Sequence, residues 1–583
     1  GQFRSQYDDE HGGFGGAPKF PRPSQFNFLL RCWKRTGDAK ALEMTAHTLR
    51  QMARGGMYDQ LGGGFARYSV DERWHVPHFE KMLYDNAQLV VSYCEAWQIT
   101  RELATTGTAQ LRSSDGSPHP DPLPSQARGE GNLSRSPLPA PDDSQQRRPE
   151  NLSLSPQQRG EGWGEGPPQL DDFSFAAVAR DVLRYVGRDM THPDGAFYSA
   201  EDADSEGVEG KFYAWTTQEL RDALGAEDAK FVGEYFGCEE AGNWDDPTGH
   251  GPKNANVLFV ARTFEQMAKI FDGTPQQACE RIEAAKRKLF EVRSRRVRPH
   301  LDDKILTAWN GQMIGAFAHA AQALDEPQYL AAATRAAEFI LAKLYDPQTK
   351  TLLRRWRDGE AKVDGFLDDY AFFVAGLLEL YEASFDPQWL DRAVELTDTM
   401  IARFHDKESG GFWFTPPGQN DIIARMKDDY DGAQPSGNSI AIANLQRLAQ
   451  LTDNSRYAGI ADESLRRLLP RFRQAPTAVP QWLCALDATL AKHRQIVIAG
   501  MPDAADTKVM LRAVRERFLP NTILLLADGG PRQAAMAKQL KFLANMKPLD
   551  NKATAYVCEN YACRAPTNDL ATLQKMLDEP PAK

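Results

Sequence analysis

Apolar residues recur at three- and four-residue spacing over most of the chain, as in Ile314, Phe317, Ala318 and Ala321. That is the period of a helix with one buried stripe. Eleven stretches carry it: 24–35, 39–54, 79–101, 173–189, 304–323, 327–344, 366–381, 387–405, 437–451, 455–471 and 480–491. Between them stand turns rich in glycine that also carry an aromatic. They run from His11 to Gly16, from Gly55 to Phe65, from Asp194 to Tyr198 and from Ser409 to Trp413, with Thr351 to Trp356 a weaker relative. Eleven helices make close to six hairpins. In a closed ring of hairpins, inner helices pack on one another and outer helices pack on the inner ones. Glycine then permits tight reversal at one end of the ring. The pattern predicts a mainly α, six-hairpin (α/α)6 toroid rather than an open solenoid, whose loops are rarely this long and aromatic.

Three stretches depart from this rhythm. Residues 200–270 hold short mixed pieces, such as Gly210 to Trp215 and Asn256 to Val260, and read as an excursion between hairpins. Past residue 493, apolar runs at Gln495–Ala499 and Thr522–Leu526 flank a helical stretch at 507–518, with a further strand expected near 553–557. This βαβ pattern predicts a small C-terminal α/β unit. Gly500 opens no G-x-G-x-x-G, which argues against a dinucleotide site there. Residues 107–170 are rich in Pro, Ser, Gly, Gln and Arg, lack aliphatic periodicity and repeat crudely, Pro124 to Gly131 echoing Pro156 to Gly162. Such a stretch cannot bury enough apolar surface to offset its ordering entropy, so a disordered insertion in a surface loop is expected. The expected domains are 1–106 and 171–492 for the toroid, 107–170 for the insertion and 493–583 for the α/β unit.

Composition narrows the function. The 583 residues are 42% hydrophobic and 26% charged, enough for a large core. Lys and Arg total 69 against 80 Asp and Glu, a net charge of -11, which opposes nucleic-acid binding because phosphate contacts need clustered cations. The basic run Lys286–Arg298 ends a predicted helix and reads as a solvated face. No run of about 18 apolar residues suggests a membrane helix. Seven scattered cysteines suit free thiols in a reducing compartment, so a cytoplasmic location is expected. Cys558 and Cys563 have no second pair, which argues against zinc. Neither a metal nor a cofactor is expected. The chain opens at Gly1 in what reads as a loop, and its natural start is expected to be missing.

Five segments could carry chemistry. The densest bridges a glycine-aromatic loop and a helix and holds Trp74, His75, His78, Glu80, Lys81, Tyr84, Asp85 and Asn86. Its H-x-x-H-x-E order is not the spacing of a zinc protease, but an acid/base pair fits. The second holds Glu201, Asp202, Asp204 and Glu206, crowded carboxylates of the kind that raise one another's pKa. Tyr213 stands where a calcium loop would need its glutamate. The third holds His300, Asp302, Asp303, Trp309 and Asn310, the fourth Asp368, Asp369 and Tyr370, and the fifth Ser436 and Asn438. Each alone reads as a helix cap. Their recurrence at helix starts is the signal, because in a ring such starts converge on one mouth. Carboxylates for acid/base work and aromatic faces for pyranose rings at that mouth suit a sugar.

Three stretches resemble the YyaL family, whose animal member is spermatogenesis-associated protein 20. They are Gly12 to Pro21 with its Lys19, Gly55 through His78 to Ala87, and Ser199 to Glu206. Asp302 to Gly311 and Cys558 to Cys563 fit as well. The resemblance covers nearly the whole chain apart from 107–170. It implies a glycosidase-like (α/α)6 body, related in shape to N-acylglucosamine 2-epimerases and several glycoside hydrolases. It also implies that a thioredoxin-like domain precedes this segment in family members. The leading expectation is a carbohydrate-active protein, a hydrolase or an epimerase or isomerase, whose partner is a small sugar. Asp202 or Asp204 with Asp368 or Asp369 would supply the carboxylates, His75, His78 or His300 the proton carrier, and Trp74, Tyr84 and Trp309 the platform. The rivals are a non-catalytic scaffold for a thioredoxin-like domain and an inactive copy.

Overall fold

Many of the helices begin where a residue can satisfy free N–H groups or needs none. Asp38, Asp386 and Asn454 accept from the backbone two residues on, and Pro23, Pro327, Pro387 and Pro480 fill first turns. The computed structural model describes residues 1–105, 174–244, 251–418, 424–559 and 562–579. The chain divides into two units, Gly1–Glu102 with Gly166–Lys583, and Leu103–Glu165. The insertion expected at 107–170 lies outside the described residues. Every described helix and strand begins in the first unit.

The helices are α1 (Gln2–Gln6), α2 (Pro23–Thr36), α3 (Ala39–Arg54), α4 (Leu83–Thr105), α5 (Phe175–Asp189), α6 (Thr217–Leu224), α7 (Ala226–Tyr235), α8 (Phe264–Ile270), α9 (Pro275–Arg293) and α10 (Thr307–Ala323). Then come α11 (Pro327–Lys343), α12 (Leu367–Ser384), α13 (Pro387–Phe404), α14 (Gly437–Thr452), α15 (Ser455–Phe472), α16 (Pro480–Leu490), α17 (Ala505–Arg515), α18 (Pro531–Met536) and α19 (Leu570–Asp578). All eleven helices expected for the ring are present.

The protein is an (α/α)6 toroid. Helices α2, α4, α10, α12, α14 and α16 form the inner ring, and all six face one axial cavity. The ring closes where α16 packs on α2 and where Arg31 of α2 bonds Glu95 of α4. Inner helices are buried nearly all round, as in α12. Outer helices such as α13 bury one stripe. Helices α10 and α12 touch through glycine. A Cβ on Gly376 would lie 2.4 Å from the Gly311 carbonyl oxygen, and one on Gly311 would lie 2.5 Å from Phe372.

The glycine-aromatic turns are one device used repeatedly. Asp8, Asp59 and Asp406 each accept two N–H groups from the turn that follows. Each also pairs with a lysine at 2.6–2.8 Å: Lys19 with Asp8, Lys81 with Asp59 and Lys427 with Asp406. The same lysines donate to the carbonyls of Gly12, Gly63 and Gly410. In the turns that carry Phe65, Phe197 and Phe412, the aromatic is fixed by an asparagine near the start of an inner helix. Asn86, Asn310 and Asn438 accept from the N–H and donate to the carbonyl of Phe65, Phe197 and Phe412. These are amide pairs that satisfy buried backbone groups.

Residues 200–270 differ from expectation. They begin a helical subdomain, α6 to α9, with its own core around Trp215, Phe231, Tyr235, Phe264 and Leu289. Capping boxes at Thr216 and Thr263 stabilise two helices too short to show a clear period, and a third at Thr274 starts the longer α9. The stretch from Thr351 is a strand, Thr351–Arg357, paired with Glu360–Asp364.

The C-terminal α/β unit has strand order Thr522–Ala527, Arg494–Ala499, Thr554–Glu559, Ala562–Cys563. The first two are parallel, joined through α17, and the third runs antiparallel. This unit is bonded to the C-terminal ends of inner helices. Gln98 of α4 donates to the Arg515 carbonyl, Arg515 donates to the carbonyls of Glu382 and Ala383 in α12, and Asn521 bonds Asp487 in α16. One cysteine expectation is corrected. Cys558 and Cys563 face each other across adjacent strands and form a disulfide, while the other five thiols are free.

Candidate functional site

The three motifs that crowd ionisable groups before α4, within 199–206 and before α10 meet as one small sheet. Lys81 pairs with Glu201, Met82 with Ala200, and Ala200 with Asp302. Helices α4 and α10 start just beyond its edges, so both present their first turns at one end of the ring. Residues Gln88, Gln312, Phe372 and Ile440 line the axial cavity. One helical turn before them come Tyr84, Trp309, Asp368 and Ser436, which places these four at the mouth.

Tyr84 and Trp309 lie with ring centroids 4.9 Å apart and pack with Met82 and Ala200. Ion pairs rim this platform: Arg67 with Glu80 at 2.9 Å, Lys304 with Asp302 at 2.6 Å and Arg357 with Asp303 at 2.7 Å. His78 stacks on Tyr68 and bonds Glu209 through Nδ1 at 2.8 Å, a contact that raises its pKa, with Glu80 at 3.8 Å. Asp85 is buried, and burial holds its carboxyl well above the usual range.

The adjacent aspartates of α12 divide. Asp369 is fully buried and accepts from the N–H of Ala308, the N–H of Phe366 and Arg354, so it ties the starts of α10 and α12 together. Asp368 has a buried oxygen with no hydrogen-bond partner among the described residues. Burial, then the charges of Asp369 and Asp428, push its pKa up to about 7, with Arg354 and the Gly437 N–H partly offsetting them.

Several residues that the sequence nominates are enclosed by the frame. Lys19 and Lys81 are buried turn locks. Trp74 is wholly buried and donates to the His11 carbonyl. Glu201 is held by Tyr185 and Arg298. Asn86, Asn310 and Asn438 hold turn backbone, and the Tyr370 hydroxyl accepts from the Leu352 N–H. Ser436 caps α14 within a network centred on Asp431. His75 turns from the mouth to pack on Phe259. Asp202, Asp204 and His300 are exposed.

Below the mouth the cavity encloses about 400 Å³. It holds charged groups that sequence reading passed over because they lie mid-helix. His319 Nδ1 stands 3.6 Å from Glu379, and Arg447 reaches Glu379 at 2.6 Å and Glu382 at 3.0 Å. Burial alone would raise Glu379, but Arg447 and His319 bring it down to about 2. Burial also lowers His319, yet its bond to Glu379 leaves it raised. The available signal was an ionisable residue on the face that otherwise reads Gly, Ala and Phe. Asp428 was also passed over, although it opens the run Asp428-Asp429-Tyr430-Asp431 before α14.

A glycine-locked (α/α)6 toroid with an aromatic, carboxylate-bearing mouth over an axial well defines a six-hairpin glycosidase-like protein. Residues 290–466 match the family described as glycosyl hydrolase family 76. Human spermatogenesis-associated protein 20 is 35% identical over 99% of this chain and 68% of its own length, and the rat protein 36% over the same shares. Among solved structures, cellobiose 2-epimerase from Bacillus thermoamylovorans B4167 is similar at 9% identity, with a TM-score of 0.44 over 80% of this chain and 83% of that one. A D-mannose isomerase gives 10% and 0.43 over the same shares. The chain belongs to the spermatogenesis-associated protein 20 family. No described helix is long and apolar enough to cross a membrane.

Proposed function

We propose that the chain acts on a sugar or sugar derivative by acid/base chemistry at the toroid mouth, with Asp368 moving the proton. The observation that carries this is a carboxyl held near neutrality at the same mouth as an aromatic platform, at the opening of a well of small-molecule size. The partial match to a glycosyl hydrolase family supports the substrate class. A general acid must hold its proton at working pH and then release it, and Asp368 is poised for both. Tyr84 and Trp309 offer faces for a pyranose ring. The pair of Asp368 and Asp428 suits hydrolysis or proton transfer at a sugar carbon.

A thermal-shift screen with monosaccharides and glycosides, followed by hydrolysis and epimerisation assays of the hits, tests the reading. Asp368→Asn should lower turnover by about 100-fold or more while the protein stays folded. Full turnover in that variant would overturn it. The binding-scaffold reading draws on one observation, that Lys81, Glu201 and Asp369 are bonded into the frame. It expects ligand binding without turnover, unchanged by Asp368→Asn.

A further inference from the structure

The axial well has a chemistry that the mouth does not share. Its walls are the six inner helices, and the segment Val514–Leu524 of the C-terminal unit lines its far end. At the near end, Gln88 donates to the Ala433 carbonyl and Gln312 donates to Gln434, so the 433–435 segment narrows the opening. A polymer cannot thread a well that ends on protein. Small residues such as Gly315, Ala316 and Ala443 line the space inside, and a Cβ on Gly315 would meet nothing closer than 3.6 Å.

Residues lining the well leave eight buried side-chain atoms with no hydrogen-bond partner among the described residues, among them Nε2 of His319, Oε1 of Glu382, Nε of Arg515 and the Oε1 of Gln312 and of four other glutamines. Buried groups left this way are costly unless something bonds them. The charges around them balance internally, Arg31 against Glu95 and Arg447 against Glu379 and Glu382, with Arg515 close to Glu382. Beside one oxygen of Glu382 and Nε of Arg515, what remains for a guest is carboxamides and one imidazole, which both donate and accept as hydroxyls do. A volume of about 400 Å³ falls within the range of small-molecule sites.

We propose that the well binds one uncharged polyhydroxylated ring, a free monosaccharide or the end residue of a short glycan, with His319 touching it and Glu379 positioning His319. This rests on the reading of the mouth as sugar-acting and narrows it: the ligand enters end-on, and internal segments of a polysaccharide do not fit. The groups facing His319 are Glu379 of α12, Glu95 of α4, Arg31 of α2 and, through Glu379, Arg447 of α14. Replacing Glu379 removes the group that lifts His319.

The test is calorimetric titration of the full chain with D-glucose, D-mannose and N-acetyl-D-glucosamine, with D-mannose 6-phosphate as the charged control. We expect at least one of the three to bind one to one, and the phosphate to bind at least tenfold more weakly than mannose. Gly315→Leu fills the well and should weaken binding at least tenfold while melting near the wild type. Ala443→Phe fills it from α14, should the first variant fail to fold. His319→Asn should weaken binding, and Glu379→Gln should move the pH midpoint of binding downward. Wild-type affinity in both filled variants, with binding lost in Asp368→Asn, would overturn the well and leave the mouth reading intact. No binding of any sugar by the wild type would overturn both.

Discussion

The carboxyl of Asp368 sits one turn above Phe372, where burial and the charges of Asp369 and Asp428 hold its pKa at about 7, against 3.8 in an unfolded chain. Below about pH 4 both states keep the proton and the group is neutral in its effect. Between there and about 7 the unfolded chain ionises first, so folded stability falls as pH rises, and above 7 the loss is constant. Each unit of the shift is worth about 1.4 kcal/mol at most. Asp368→Asn removes the penalty: its melting temperature should exceed the wild type's at pH 8 and match it at pH 4, a difference that scanning calorimetry at the two pH values reads. A loss of stability at Asp368 fits its proposed role, since sites kept for function often trade stability for it. Lysines at the turns behave oppositely. Lys427→Met leaves Asp406 without its pair and should cost about 1–3 kcal/mol in urea denaturation, with sugar affinity unchanged, because the same lock at Lys19 and Lys81 shows it belongs to the frame.

Between elements, the glycines of α10 and α12 set how closely the inner ring closes. Gly376→Ala puts a methyl 2.4 Å from the Gly311 carbonyl oxygen and should cost about 1–3 kcal/mol or more, since backbone cannot yield as a side chain can. Gly315→Ala, one turn along, meets only ordinary contacts and should be neutral or add up to about 1 kcal/mol from helix propensity. Equilibrium denaturation of the two variants separates packing from propensity. The same elements show what the sequence made legible. Helix positions could be read because amphipathic stripes and caps are local, and the eleven ring helices stand where periodicity put them. The roles of conspicuous residues could not. Trp74, Lys19 and Asn86 look chemical in sequence because a buried polar lock uses the same residue types as a binding site, and burial is decided by elements far away in the chain. The recurrence of Asp, Gly-Gly and Phe across the turns was the readable clue, since a lock can repeat around a ring while an active site does not. His319 and Glu379 stayed hidden for the converse reason: inner helices are buried on both faces, so no polar stripe marks the side that faces the axis.

For the whole molecule, the decisive relation is between the toroid and the C-terminal sheet. Segment Val514–Leu524 closes the well, Gln98, Arg515 and Asn521 join its rim to the ends of α4, α12 and α16, and the strands carry their own core around Ile496, Leu524 and Val557. A unit with its own core could melt independently; one that also satisfies the carbonyls at the ends of inner helices is coupled to them, because losing it leaves Glu382 and Ala383 without their donor. The second relation should dominate, giving one cooperative transition. The chain allows a clean measurement, since all eleven tryptophans precede residue 493 and fluorescence therefore reports on residues outside the C-terminal unit. Hydrogen exchange at Ile496–Ile498 and Leu524–Leu526 reports on the sheet. Both signals should be lost at the same urea concentration in the wild type. In Arg515→Ala, exchange in the sheet should come first, at lower urea than the fluorescence change. A sheet that opens early in the wild type as well would mean that the floor of the well is a separable part, and that the well is open at both ends for some of the time.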